Sequence, residues 1–274
     1  MKVLLYIVAL SSVLIIGCSP ADSPVINKKI RTLTIINFGD TASYEFIYTG
    51  DQLTTVNKNG ATYARLFYGI GQVNVEMIKP SYRDTFSIYF SSANYIDSVK
   101  EQGMLQRKFF RNASEQLDSC RYTESGVSLF YNNVTYAGNQ IAVFRQSRPY
   151  TCGIYNTCIK IGLDTATYTT LEPQSNLPEQ FFTFPLSEGL SFMDVNPMFL
   201  VQQSGIFPYI PHPNLVRNWN TFYSILITQT TPPNFHFRYD YTFDTQQRVT
   251  VMYVYNTLQS NTVPFKTYRM GYFD

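Results

Sequence analysis

Four carboxylates, Glu172, Glu179, Glu188 and Asp194, flank a proline-rich stretch in the middle of this 274-residue chain. Two carboxyl groups held about 5–10 Å apart across a cleft can hydrolyse a glycosidic bond, one as acid and the other as base or nucleophile. No local motif supports them: the sequence has no Gly-x-Ser-x-Gly elbow, phosphate loop or metal triad. The two histidines are poor candidates for catalysis. His236 lies between Phe235 and Phe237 on the face of Arg238 and Asp240, and His212 is set between prolines. Binding is the stronger expectation. Phe207, Tyr209, Trp219 and Tyr223 can offer ring faces to the apolar side of a sugar, with Arg217 and Asn218 to hydrogen-bond its hydroxyls; the competing expectation, and the favoured one for that ring, is that Trp219 plugs the core of the sheet. No catalytic residue, metal or cofactor is expected.

The elements that must carry such a platform are strands. Twenty-two Tyr and 21 Phe against one Trp favour a large β-sheet with a wet side, since Tyr has high strand propensity and tolerates an edge in water. A 45% hydrophobic and 15% charged composition supplies a sizeable core and excludes disorder. The net charge of +2, without a Lys/Arg cluster, excludes nucleic acid as a partner.

The plainest strand pair is Phe237–Asn256, where Phe237, Tyr239, Tyr241 and Phe243 alternate with polar residues, a polar turn follows, and Val249, Val251, Tyr253 and Tyr255 resume the alternation. Related hairpins fall at 44–56, 86–99, 134–144 and 182–193. In each, an aliphatic residue follows the anchoring aromatic by five or six positions, and another apolar residue comes three later. The anchors Tyr48, Phe90, Tyr136, Phe184 and Phe243 are 42, 46, 48 and 59 residues apart, a drifting period that predicts hairpins joined by further strands. Helical spacing is confined to Tyr95–Gln106 and Asn112–Ser119. Pro178, Pro185, Pro197, Pro208, Pro211 and Pro213 make Gln174–Pro185 and Asn196–Pro213 long loops or edges, the second apolar enough to pack on the sheet or line a pocket. The expected fold is all-β: a strongly curved antiparallel sheet or open barrel of residues 30–274, built from repeated hairpins.

At the N-terminus, Lys2 precedes an apolar run from Val3 to Ile16, too short for a membrane-spanning helix and right for a secretory signal. Ile15-Ile16-Gly17-Cys18 looks like a bacterial lipobox, which makes residues 1–17 the signal, Cys18 the lipid-bearing residue and 18–29 a tether. Several acyl chains on Cys18 exceed the two-signal threshold for stable anchoring. Of the remaining cysteines, Cys152 can pair with Cys158, or either can pair with Cys120.

Tyr239-Asp240-Tyr241-Thr242-Phe243-Asp244-Thr245-Gln246-Gln247-Arg248-Val249 resembles a YD (RHS-type) repeat, with Gln247 in place of the usual Gly before the Arg. With the lipobox, the chain resembles exported lipoproteins of Bacteroidetes-type bacteria that carry degenerate YD-like hairpins in a porin-like curved sheet. That resemblance implies a fold and a compartment, and no reaction. It also implies O-glycan attachment at Thr41, Ser98 and Thr165, each in an Asp-Ser/Thr-aliphatic triplet. The expected role is a lipid-anchored outer-membrane protein that binds a glycan or protein, or has a structural part in the envelope. The alternatives are a glycan hydrolase and an accessory subunit docked on an outer-membrane protein through its strand edges.

Overall fold

The computed structural model describes residues 29–37, 39–79, 83–102, 104–124, 127–138, 140–152, 156–168, 195–207, 215–224 and 235–273. Sixteen strands run in an antiparallel meander: β1 (Ile30–Asn37), β2 (Asp40–Thr49), β3 (Gln52–Lys58), β4 (Ala61–Gly69), β5 (Gln72–Ile78), β6 (Arg83–Phe90), β7 (Ile96–Glu101), β8 (Met104–Arg111), β9 (Leu117–Glu124), β10 (Val127–Ala137), β11 (Gln140–Cys152), β12 (Asn156–Tyr168), β13 (Val216–Ser224), β14 (Phe235–Phe243), β15 (Val249–Asn256) and β16 (Lys266–Tyr272). Each pairs with its chain neighbours, and β16 pairs with β1, so the sheet is a closed barrel. Among the described residues there is one helix, α1 (Pro197–Gln202), between β12 and β13. The two stretches with helical spacing are β7 with the start of β8, and a turn leading into β9.

Alternation along the strands sorts residues into two faces. Tyr44 and Phe46 of β2 are buried while Ser43, Glu45 and Ile47 are more exposed, and β5 buries Val73, Val75 and Met77. The buried rows continue around the barrel, and all six residues of α1 are buried with them. A helix laid on the outside would leave one face wet, so the buried face is the inner one. Segment 195–207 is held against it. Phe199 meets Phe46 edge-on at 6.2 Å, the Tyr63 hydroxyl donates to the Val195 carbonyl at 3.1 Å, and the Leu53 N–H donates to Ser204 Oγ at 2.9 Å. Phe207 then bridges the β6–β7 turn through Ile96 N–H to its carbonyl at 2.8 Å and its own N–H to the Asn94 carbonyl at 2.9 Å. Asn196 caps α1 by accepting from the Phe199 N–H, with Pro197 in the first turn where it lacks no bond. Residues 195–207 of the proline-rich middle are therefore an interior plug.

The hairpin turns alternate between two mouths. The chain enters at Lys29, at the mouth that also carries the β2–β3, β4–β5, β6–β7, β8–β9, β10–β11 and β14–β15 turns; we call this the entry mouth. A single device recurs there. In β3, Ile47 faces Thr55 but Tyr48 faces Leu53, leaving Thr54 as an extra residue. The same bulge falls at Arg31, Asp97, Asp118, Ala142, Arg217 and Thr250. A bulge interrupts the ladder, and the carbonyl before it needs a donor. Tyrosine hydroxyls supply it: Tyr48 to Ile30, Tyr68 to Leu53, Tyr136 to Leu117, Tyr168 to Ile141, Tyr241 to Val216 and Tyr272 to Val249, at 2.6–3.1 Å. Arg111 Nη2 does the same for Ile96 at 3.2 Å. β5 has no such bulge in its pairing with β4, and the facing strand β6 carries Phe90, which has no hydroxyl. Burial raises the pKa of Tyr48, Tyr68 and Tyr241, and pushes Tyr136 up to about 12, so these donors keep their protons. The repeating unit is thus one hairpin of roughly 20–25 residues where no insertion lengthens it, about half the period read from the aromatics alone.

Three entry-mouth turns share a five-residue form opening on Ser91, Asn112 and Asp244. The first N–H donates to the fifth carbonyl, the fourth N–H to the first carbonyl, and the first side chain accepts from the fifth N–H. The fourth residue is left-handed in each, with φ of 60° at Asn94, 59° at Glu115 and 59° at Gln247. That conformation costs a residue with a Cβ about 1–2 kcal/mol. Gln247→Gly is expected to raise unfolding stability by about 0.5–1 kcal/mol once the greater freedom of an unfolded glycine is deducted, read as a shift in the denaturation midpoint. In the same turn Arg248 Nε donates to Asp244 Oδ2 at 2.6 Å, its Nη1 to the Phe273 carbonyl at 2.8 Å, and its guanidinium lies over the Tyr272 ring. Partial burial would raise the Asp244 carboxyl, but the Arg248 N–H and guanidinium and the Gln246 N–H together hold it below its ordinary value of 3.8. A depressed folded pKa stabilises fully above the unfolded value and is lost as pH falls through the folded one. The stability gap between the native chain and Asp244→Asn should therefore shrink as pH drops below about 4, in denaturation curves taken across that range.

Candidate functional site

Of the six residues read from the sequence as a ligand platform, the four whose side chains are described do not share a surface. The bulge at Arg217 turns Arg217 and Asn218 outward, where Asn218 Nδ2 donates to Thr167 Oγ1 at 2.9 Å. Trp219 points into the barrel, 4% exposed, with its ring centroid 6.1 Å from that of Phe237. Phe207 sits at the entry mouth as part of the plug. Tyr223 is described only by its place in β13, opposite Gly162, and Tyr209 lies outside the described residues. The aromatic alternation carried no sign of the bulge, which is what divides the set.

Glu172, Glu179, Glu188, Asp194 and His212 lie outside the described residues, as does the hairpin read at 182–193. His236 is half-buried on the outer face opposite Asn220, beside Arg238 and Asp240. Among the described residues no cluster of His, Cys, Asp or Glu could hold a metal. Thr41, Ser98 and Thr165 all stand on outer-face positions, and Thr165 Oγ1 accepts from Asn220.

Cys120 is a free, buried thiol, pushed up to about 12 by burial despite the nearby Arg107. Register excludes it from either disulfide. Cys120 is level with Asn132 of β10, and Asn132 with Gln146 of β11. Cys152 is six residues beyond that level, about 20 Å along the strand at ~3.3 Å per residue. Cys158 is displaced four residues from the same level, about 13 Å. In backbone register Cys152 faces Asn156 and Cys158 faces Tyr150, so the two cysteine positions are diagonal neighbours across the β11–β12 seam.

Two features remain. The first is the outer face itself. Glu45, Arg65, Glu76, Lys108, Arg121, Arg238, Asp240 and Arg269 occupy its mid-strand positions, separated chiefly by Thr, Ser and Asn. Glu76 pairs with Arg83 at 2.9 Å and Arg65 at 4.0 Å across β4, β5 and β6. A barrel that spans a bilayer needs an outward apolar band about 25 Å tall, and each Arg or Lys at its midplane costs about 2–4 kcal/mol. Among the described side chains the barrel has the opposite polarity: charged and hydroxylated outside, mainly apolar within.

The second is a recess of about 390 Å³ at the mouth opposite the entry, floored by Ile35 and Ala42. Lys58 leans into it with its ammonium 5.5 Å from the Tyr44 ring centroid and 5.7 Å from that of Tyr63. Asp40 adds a carboxylate, and Asn37 Oδ1 is buried there without a hydrogen-bond partner among the described residues. A cation, an anion and an unsatisfied acceptor around a space of this size suit one small polar ligand or an end group of a larger one.

No family model matches the chain, and no curated protein matches its sequence. Among solved structures it is similar to the crystal structure of a porin-like protein from Bacteroides uniformis, with a TM-score of 0.56 and 13% identity over 90% of this chain and 99% of that one. At that identity the likeness is one of fold.

Proposed function

We propose that this chain is an exported cell-envelope protein, anchored by lipid on Cys18, whose barrel stands in water beside the membrane and serves a non-catalytic binding or structural role. The observation that carries this reading is the polarity of the barrel. Its strands close as a porin's do, but charged residues crowd the face that would meet lipid, and residues 195–207 pack inside the barrel. The lipobox-like N-terminus then supplies the membrane attachment that the barrel surface does not. The neighbour described as porin-like, from a Bacteroides, supports an envelope setting, and the repeated bulged hairpins support kinship with YD-type repeats. The recess at Lys58, Asp40 and Asn37 is the candidate ligand seat, suited to the polar end of a glycan or a protein chain. Expression of the full chain in a bacterial host tests this. The wild type should require detergent for extraction, and Cys18→Ala should leave the membrane in a carbonate wash. A Cys18→Ala protein shown by mass to have lost residues 1–17 that still needs detergent would mean that the barrel itself is embedded.

A further inference from the structure

Among the described residues Ile70 is the most exposed apolar side chain, at 106% of its reference area, on the tip of the two-residue β4–β5 turn. Phe67 at 55% and Ile47 at 41% break the polar outer face just above it. Each lies two residues from the entry-mouth end of its strand, Phe67 on β4 and Ile47 on β2, roughly 10 Å apart across β3. The three residues form one apolar corner of the entry mouth.

The place where the chain enters the barrel says what covers that corner. Lys29 is fixed next to it, bonded to the Asp51 carboxylate and the Gly50 carbonyl of the β2–β3 turn, with its ammonium 5.5 Å from the Tyr48 ring centroid. Residues 19–28 separate Lys29 from Cys18, and the eleven steps from one to the other reach at most about 40 Å when fully extended. A lipidated Cys18 is therefore joined to the barrel at this mouth, within about 40 Å of the bilayer. Lys29 and Arg65 beside the corner are paired with Asp51 and Glu76, and Arg31 adds one further cation. The recess at Lys58 opens at the far mouth, away from the membrane.

We infer that Ile70, Phe67 and Ile47 dip into the membrane interface beside the lipid anchor, with Ile70 as the leading residue. The anchored barrel then has a fixed orientation, entry mouth down and recess up. This rests on the lipid anchor proposed above, and the test separates the two. Ile70→Trp and Val263→Trp proteins, the second a control at the far mouth where Val263 is 66% exposed, are reconstituted as full-length chains in phosphatidylglycerol-containing vesicles, some with lipids brominated near the headgroup. The native Trp219 is buried in the barrel and sets the background. At least a twofold quenching of the fluorescence added by Ile70→Trp, with a blue shift, and none for Val263→Trp, is the expected result. Lipidation of Cys18 is read by mass. A lipidated chain with an unquenched position 70, or with position 263 quenched instead, overturns this inference and leaves the anchor standing. A chain without lipid whose position 70 is still quenched overturns the anchor and upholds the membrane-facing corner. An unlipidated chain with position 70 unquenched overturns both.

Discussion

Phe199→Ala is expected to destabilise the barrel by about 3–5 kcal/mol, read from urea or guanidinium denaturation midpoints. Phe199 is 1% exposed at the centre of the plug and meets Phe46, also 1% exposed, edge to face. Truncation removes the transfer energy of a ring and leaves a hole. The wall around that hole is a closed sheet whose strands are fixed by pairing on both sides, so collapse is difficult and the cost should fall at the upper end. Phe46→Ala should cost a similar amount, and the double variant less than the sum, because both open the same cavity. A loss below about 1 kcal/mol at Phe199 would show that the plug is not part of the core.

Tyr241→Phe, which removes one oxygen atom, is expected to cost about 1–3 kcal/mol, because it leaves the Val216 carbonyl beside a bulge without its donor. Tyr272→Phe should behave alike through Val249. The informative control is the reverse change at Phe90. β5 has no bulge in its seam with β4, so Phe90→Tyr adds a hydroxyl with no waiting carbonyl and should gain nothing. Thermal melts of the three variants separate the capping role from a general preference for tyrosine. A neutral Tyr241→Phe would mean that the carbonyl has another donor.

Much of this architecture is legible in the sequence once the bulge is known. Ile30 and Leu33, Leu53 and Val56, Ile96 and Val99, Leu117 and Cys120, Val216 and Trp219, and Val249 and Met252 are all inward pairs three residues apart. A strict strand would place inward residues two apart, and the extra residue makes three. Read without the bulge, that spacing looks helical, which is why Ile96 and Val99 suggested a helix where β7 lies. The repeat looked twice as long as it is because Arg111 replaces the aromatic anchor in β8, and because Val73 and Val75 of β5 lack the three-residue step. Gln247 was legible as the exception in the turn, and its positive φ shows why glycine suits that place. Asn196-Pro197 carried a helix-start signal that the surrounding prolines obscured.

Other features were not legible for a physical reason. Period-two alternation distinguishes one face of a strand from the other, and it is the same whether the apolar face turns toward lipid or toward a plug. Only the position of α1 decides that. Closure of the sheet depends on β1 meeting β16, a pairing with no local signal. Arg217 and Asn218 do not join Trp219 because, adjacent in sequence, they turn outward from β13 where its ring turns inward.

The meander has a kinetic corollary. Every seam but one joins consecutive strands, so most of the barrel can form by short-range zippering, hairpin upon hairpin, which favours speed in a β protein. The exception is the β1–β16 seam. Joining ends about 240 residues apart costs only about 2 kcal/mol more loop entropy than closing a hairpin of about 20. Until that seam closes, however, the growing sheet carries two bare edges, each able to pair with another chain. The last strand thus removes the hazard that all the earlier ones create, and a chain cut short of Lys266 would retain it.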